Sequence, residues 1–97
     1  MLEFEWDDEK ARQNLRKHGV SFEQATQAFR DPLGIEWIDE GQDYGEERTI
    51  LLGVAGNGLL FVIHTDRSLG PDIQRIRLIS ARRATRNEQD FYYRENG

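Results

Sequence analysis

The stretch "RTILLGVAGNGLLFVIHTD", residues 48–66, constrains the fold more than any other part of the chain. Two apolar runs flank Gly56-Asn57-Gly58, and an Asn-Gly turn supplies the positive φ that a tight hairpin needs. The pattern predicts two antiparallel strands, with His64 alternating with Val62 on a strand placed centrally in a sheet.

The flanking segments extend this reading. Phe4 and Trp6, one residue apart, indicate a short first strand with both aromatics on one face. Asp7 is an N-cap for a helix over about 8–18, with Ala11, Leu15 and His18 as its apolar stripe and Gly19 at the left-handed C-terminal position. Ser21 with Gln24 has the spacing of a capping box, and Phe22, Ala25 and Phe29 form the next stripe before Asp31-Pro32 ends it. "GIEWID" alternates as a strand, "DEGQDYGEE" is an acidic loop, "RSLGPD" is a turn and "IQRIRLIS" is the last strand. Thr85 with Glu88 opens a terminal helix that carries Phe91 and Tyr92. The order is strand, two helices, four strands in an antiparallel meander, helix. An α+β fold follows, with the two N-terminal helices on one sheet face and the other face expected to be concave and open.

Length and composition bound the function. Ninety-seven residues suit a single domain spanning 1–97, and 37% hydrophobic residues can build a core despite 32% charged ones. The absence of cysteine removes disulfides, thiolate nucleophiles and cysteine-ligated zinc. No H-E-x-x-H, P-loop, G-x-S-x-G or dinucleotide fingerprint occurs, the acidic loop lacks EF-hand spacing, and the two histidines lie far apart in sequence. Neither a metal nor another cofactor is expected. No apolar run is long enough to span a membrane, and acids stand where a signal peptide carries bases, so a cytoplasmic location is expected.

Net charge −5 conceals an asymmetry: residues 1–47 carry thirteen acids against five bases, whereas residues 48–97 carry five acids against eight arginines. A polyanion would therefore approach the C-terminal half. Alternation places Arg75 and Arg77 on one strand face and Ile76 and Leu78 on the other. Arg82 and Arg83 follow that strand, and Arg67 ends the preceding one. Eleven of the thirteen basic residues are arginine, whose planar fork grips phosphate bidentately, although it also serves salt bridges. His64 can shuttle a proton or be a satisfied buried histidine; His18, at a helix C-terminus, has a structural reading. Glu88 is explained as a cap. Tyr92 and Tyr93 can stack on bases, while one of them must also pack the helix.

Three strings, "FEWDDEKARQNLRKHGVSFEQATQAFRDP", "GEERTILLG" and "HTDR" with "IRLISARRATRNEQDFY", resemble in order and spacing the BrnT family of type II toxin–antitoxin ribonuclease toxins, from residue 4 to about residue 93. The resemblance implies a RelE-like fold, metal-independent RNA cleavage that blocks translation, and neutralisation by a BrnA-like antitoxin through which operator DNA is bound. The family's motifs fall on Lys17-His18-Gly19, Glu46-Glu47-Arg48, Thr65-Asp66-Arg67 and Ile79-Ser80-Ala81-Arg82. The expected catalytic residues are Arg67 and Arg82, with His64 as the proton-transfer candidate. RNA contacts are expected from Lys17, Arg48, Arg75, Arg77, Arg83 and Tyr92. "RSLGPDIQR" looks longer than the family's usual turn. A non-catalytic module that binds nucleic acid or protein, including a degenerate toxin kept for antitoxin binding, is the alternative.

Overall fold

A computed structural model of the chain describes residues 2–40, 46–56 and 58–97. Its elements are β1 (Leu2–Glu5), α1 (Asp8–His18), α2 (Phe22–Gln27), one turn of 3-10 helix (Ala28–Arg30), β2 (Ile35–Ile38), β3 (Thr49–Ala55), β4 (Gly58–Asp66), β5 (Gln74–Arg83) and α3 (Arg86–Asn96). The fold is mixed α+β, compatible with the RelE-like arrangement. The sheet has the order β1-β5-β4-β3-β2. Strands β2 to β5 form the expected antiparallel meander, and β1 joins the far edge parallel to β5. Ala55 pairs with Gly58 across the hairpin, where Gly56 takes φ 64°; the Asn57 of the expected turn, like residues 41–45 of the acidic loop, lies outside the described residues.

Local chemistry sets the helix ends. The Asp7 carboxylate accepts from the Glu9 N–H, and Gly19 (φ 71°) donates its N–H to the Leu15 carbonyl. Ser21 Oγ accepts from the Gln24 N–H, and Thr85 and Glu88 form a complete capping box. The core on the first sheet face gathers Val20, Phe22, Ala25 and Ala28 against Leu51, Ala55, Leu60, Val62, Ile76, Leu78 and Ala81, with Phe4 and Trp6 packed on its margin. Complete burial of a side chain such as Phe22 contributes about 1.5–3 kcal/mol. At Gly53 a Cβ would lie 2.6 Å from the Ala28 carbonyl oxygen, so only glycine lets the 3-10 turn rest on β3.

Two expectations need correction. Leu15 does not belong to the buried stripe of α1; it is about half exposed, and the buried residue of that helix is Asn14. Nor is the second sheet face open throughout. The half nearest the hairpin turn is covered by α3, whose Tyr92 and Phe91 pack with Leu52, Val54, Leu59, Phe61 and Ile35. Alternation on β3 and β4 sends one residue set to each face, and both sets are apolar here, so both faces require cover.

Asp31 fastens α3. Its carboxylate accepts from the N–H groups of Leu33 (2.9 Å) and Val54 (2.8 Å) and from the Tyr92 hydroxyl (2.5 Å). Burial alone would raise the Asp31 pKa, but these three bonds outweigh it and hold the group below its ordinary value. Burial, then the bond to Asp31, pushes the Tyr92 phenol up to about 12. A raised folded pKa means the contribution is complete below the unfolded value near 10 and is lost as pH climbs towards 12. The stability advantage of the parent over Tyr92→Phe, measured by urea unfolding, should therefore narrow between pH 10 and 12. A constant difference across that window would contradict the assignment.

Candidate functional site

The site begins where β1 ends. β1 covers only residues 74–77 of β5, so the remainder of that strand edge needs another partner. Asn14 supplies it: its amide donates to the Ala81 carbonyl (2.8 Å) and accepts from the Ala81 N–H (3.2 Å), as a neighbouring strand would. The same nitrogen also donates to the Val20 carbonyl (3.0 Å), tying in the chain that leaves α1. A buried amide with its hydrogen-bonding capacity used in this way fixes the position of its helix.

A β-bulge shapes the opposite wall. Ile63 pairs with Ser80 but His64 with Leu78, leaving Ile79 as the extra residue on β5. The bulge resets the alternation. Ile76 and Leu78 face the first core, and so does Ala81, which turns Ser80 and Arg82 to the second face.

Between α1 and this bulge lies an open cleft of about 320 Å³, lined by Lys10, Gln13, Lys17, His18, Arg48 and Ser80 together with Asn14 and Ile79. Positions 10, 13, 14 and 17 share one side of a helix, so the spacing of α1 itself aims both lysines here. Arg48 enters from the segment that leads into β3. Three cations and a histidine meet, and the described lining residues include no carboxylate. In a chain of net charge −5, this is the place where the local field favours an anion.

Of the expected site residues, the cleft unites Lys17 and Arg48. It does not contain Arg67, Arg82 or His64. Arg82 faces Phe61 across the ladder and Arg67 lies six residues further along, a separation of roughly 20 Å at strand rise. The Arg82 guanidinium is held bidentately by Glu88 (2.8 and 3.0 Å) and lies 3.9 Å above the Phe61 ring. Glu88, already a cap, has its pKa lowered chiefly by that bond. Arg67 approaches Glu46 at 3.3 Å; Arg75 and Arg77 bond Glu3 and Glu5 of β1, each at 2.9 Å. Arg83 is exposed near the hairpin. Tyr92 is 3% exposed with its hydroxyl on Asp31, which corrects the expectation that it stacks on bases; Tyr93 is the outward tyrosine. His64 lies on the first face, edge-on to Phe29.

Lys10, His18 and Ser80 were not among the expected contacts. The seven-residue spacing of Lys10 and Lys17 was a readable signal for one of them. His18 and Ser80 stand in the family motifs, but the regular run "IRLISAR" gives no mark of the bulge that turns Ser80 to the cleft.

No helix among the described residues is long and apolar enough to cross a membrane, and no group of three or more His, Asp or Glu among them could hold a metal ion. Residues 6–88 match the family described as ribonuclease toxin, BrnT, of type II toxin–antitoxin systems. The chain belongs to the BrnT family. That membership implies an RNA target and an antitoxin partner for the family's fold. No curated protein matches the sequence.

The geometry gives Arg82 a structural task, joining β5 to the first turn of α3. Both partners are partly exposed, so Arg82→Ala should cost about 1–2 kcal/mol in urea unfolding. A variant as stable as the parent would show that the pair does not hold α3.

Proposed function

We propose that this BrnT chain is an endoribonuclease toxin that cleaves RNA without a metal and thereby blocks translation, with the cleft between α1 and the β5 bulge as its active site. The carrying observation is the meeting of Lys10, Lys17 and Arg48 with His18 in one cleft of an acidic chain. RNA brings its own nucleophile, since each 2′-hydroxyl lies next to the phosphorus it can attack. The protein has to align that attack, neutralise the charge gathering on the phosphoryl oxygens and move two protons. Arg48 supplies a forked donor pair for the phosphoryl oxygens, and the lysines supply point charges along the backbone. His18 supplies the imidazole of the cleft, a side chain with one nitrogen to donate and one to accept in its neutral form. Ser80 offers a hydroxyl beside it.

A BrnA-like antitoxin would neutralise the toxin by covering this cleft and excluding RNA, and operator DNA would be bound through that partner, in the cytoplasm. A second reading has its own support. Arg67, Arg75, Arg77 and Arg82 all meet carboxylates, as they would in a toxin scaffold retained for binding alone.

End-labelled RNA incubated with the protein in EDTA separates the two. The parent should yield new ends, and Arg48→Ala and Lys17→Ala, folded by circular dichroism, should each lower the rate by about 10²-fold, the usual cost of losing an aimed donor. Arg75→Ala should stay near the parent rate. A shifted RNA band without products would establish the binding module, and full cleavage by the Lys17→Ala, Arg48→Ala double variant would move the active site elsewhere.

A further inference from the structure

On the opposite face of the sheet, a second cavity of about 220 Å³ has the reverse character. Glu36 of β2 and Asp66 of β4 stand on its rim, Phe29, Ile76 and Leu2 form an apolar wall, and no lysine or arginine is among its described lining residues. His64 reaches into it. The imidazole side chain is 5% exposed, and neither ring nitrogen has a hydrogen-bond partner among the described residues. Its Nε2 lies 3.8 Å from Glu36 Oε1, too far for a hydrogen bond. A buried polar group left in this state costs about 1–3 kcal/mol unless a guest satisfies it.

We propose that this cavity is a docking site for an arginine side chain presented by a partner polypeptide, whose guanidinium bonds Glu36 and His64 while Asp66 adds its negative charge. Neither carboxylate meets a lysine or arginine among the described lining residues, and although Asp66 Oδ1 accepts from the Ser68 N–H (2.9 Å) and hydroxyl (2.5 Å), the two negative charges favour a positive guest. The acceptors are spread over two strands, which suits a planar fork with five donors better than a compact ammonium. Leu2, Phe29 and Ile76 would cover the methylene stem. Desolvation drives the His64 pKa down to about 4, so the ring is neutral near pH 7 and one nitrogen keeps an acceptor lone pair. A divalent ion fits less well, because no ligand set of three such groups exists among the described residues.

The source of the arginine follows from the position of Glu36. It sits on β2, the terminal strand of the sheet, beside the exposed apolar residues Trp37 and Ile38. A strand added to that edge would pair with the β2 backbone and extend an alternate side chain over Glu36 towards His64, with Asp66 on β4, about 14 Å from such a strand, acting through its charge. The proposal stands independently of the RNA cleft.

The test uses the 15N-labelled full chain and two probes: N-acetyl-arginine amide, and a six-residue peptide with one central arginine flanked by valines. Saturable amide shifts at Thr49, His64 and Asp66 are expected with both, at least tenfold tighter for the peptide. In Glu36→Gln, whose exposed position leaves the spectrum otherwise parental, affinity should fall at least tenfold. The lysine analogue of the peptide should bind at least fivefold more weakly. Absence of saturable shifts, or equal affinity in Glu36→Gln, would overturn the site. Equal affinity of the two probes would overturn the polypeptide as its occupant.

Discussion

The three hydrogen bonds of Asn14 tie α1 both to β5 and to the chain that leaves the helix. The first strand is four residues long and β5 is ten, so an edge of β5 is left where the sheet would otherwise accept a stranger. An asparagine amide has the donor and acceptor geometry of a peptide group, and here it takes the place of a strand residue at Ala81. With α1 fixed there, Lys10, Lys17 and His18 line the groove beside the bulge. The bulge, in turn, keeps Ala81 in the core while presenting Ser80 to that groove. The anion-attracting cleft follows from covering the β5 edge with a helix.

Charge is sorted by face and by strand in a way that net charge conceals. The late arginines, which appear in sequence to be a basic patch, mostly meet acids contributed by other elements: Glu3 and Glu5 from β1, Glu46 from the segment before β3, Glu88 from α3. Apart from the bidentate Arg82–Glu88 pair, pairs this exposed contribute little individually. Their consequence is positional, since they fasten β1 to β5 and α3 to the sheet while neutralising the patch. The field that remains is split between two concavities, one lined by Lys10, Lys17 and Arg48, the other rimmed by Glu36 and Asp66.

What was legible in the sequence is what local physics decides. The Asn-Gly hairpin, the caps at Asp7, Ser21 and Thr85, the C-terminal glycine at 19 and the alternation of Arg75 to Leu78 all place elements close to where they lie. Family motifs contain Lys17, His18, Arg48 and Ser80, which the cleft brings together. Three features depended on tertiary context. Asn14 is polar and stands on a helix whose apolar stripe points to Leu15, so nothing local marks it as the buried position. The bulge at Ile79 shifts the face of Ser80 without altering composition. The partners of Arg67 and Arg82 lie in other elements, and no spacing rule tells a guanidinium bound for phosphate from one bound for Glu88.

The edge clamp is the claim on which the cleft depends, and Asn14→Ala tests it most directly, with amide hydrogen exchange at Ala81 and the RNA cleavage rate read on the same folded sample. Loss of the Asn14 acceptor should speed exchange of the Ala81 N–H at least tenfold while the amides of Leu60 and Val62 in β4 keep their protection, and cleavage should fall with it as α1 loosens. An Ala81 amide as protected as in the parent, with cleavage undiminished, would contradict the clamp and the placement of the active site beside it.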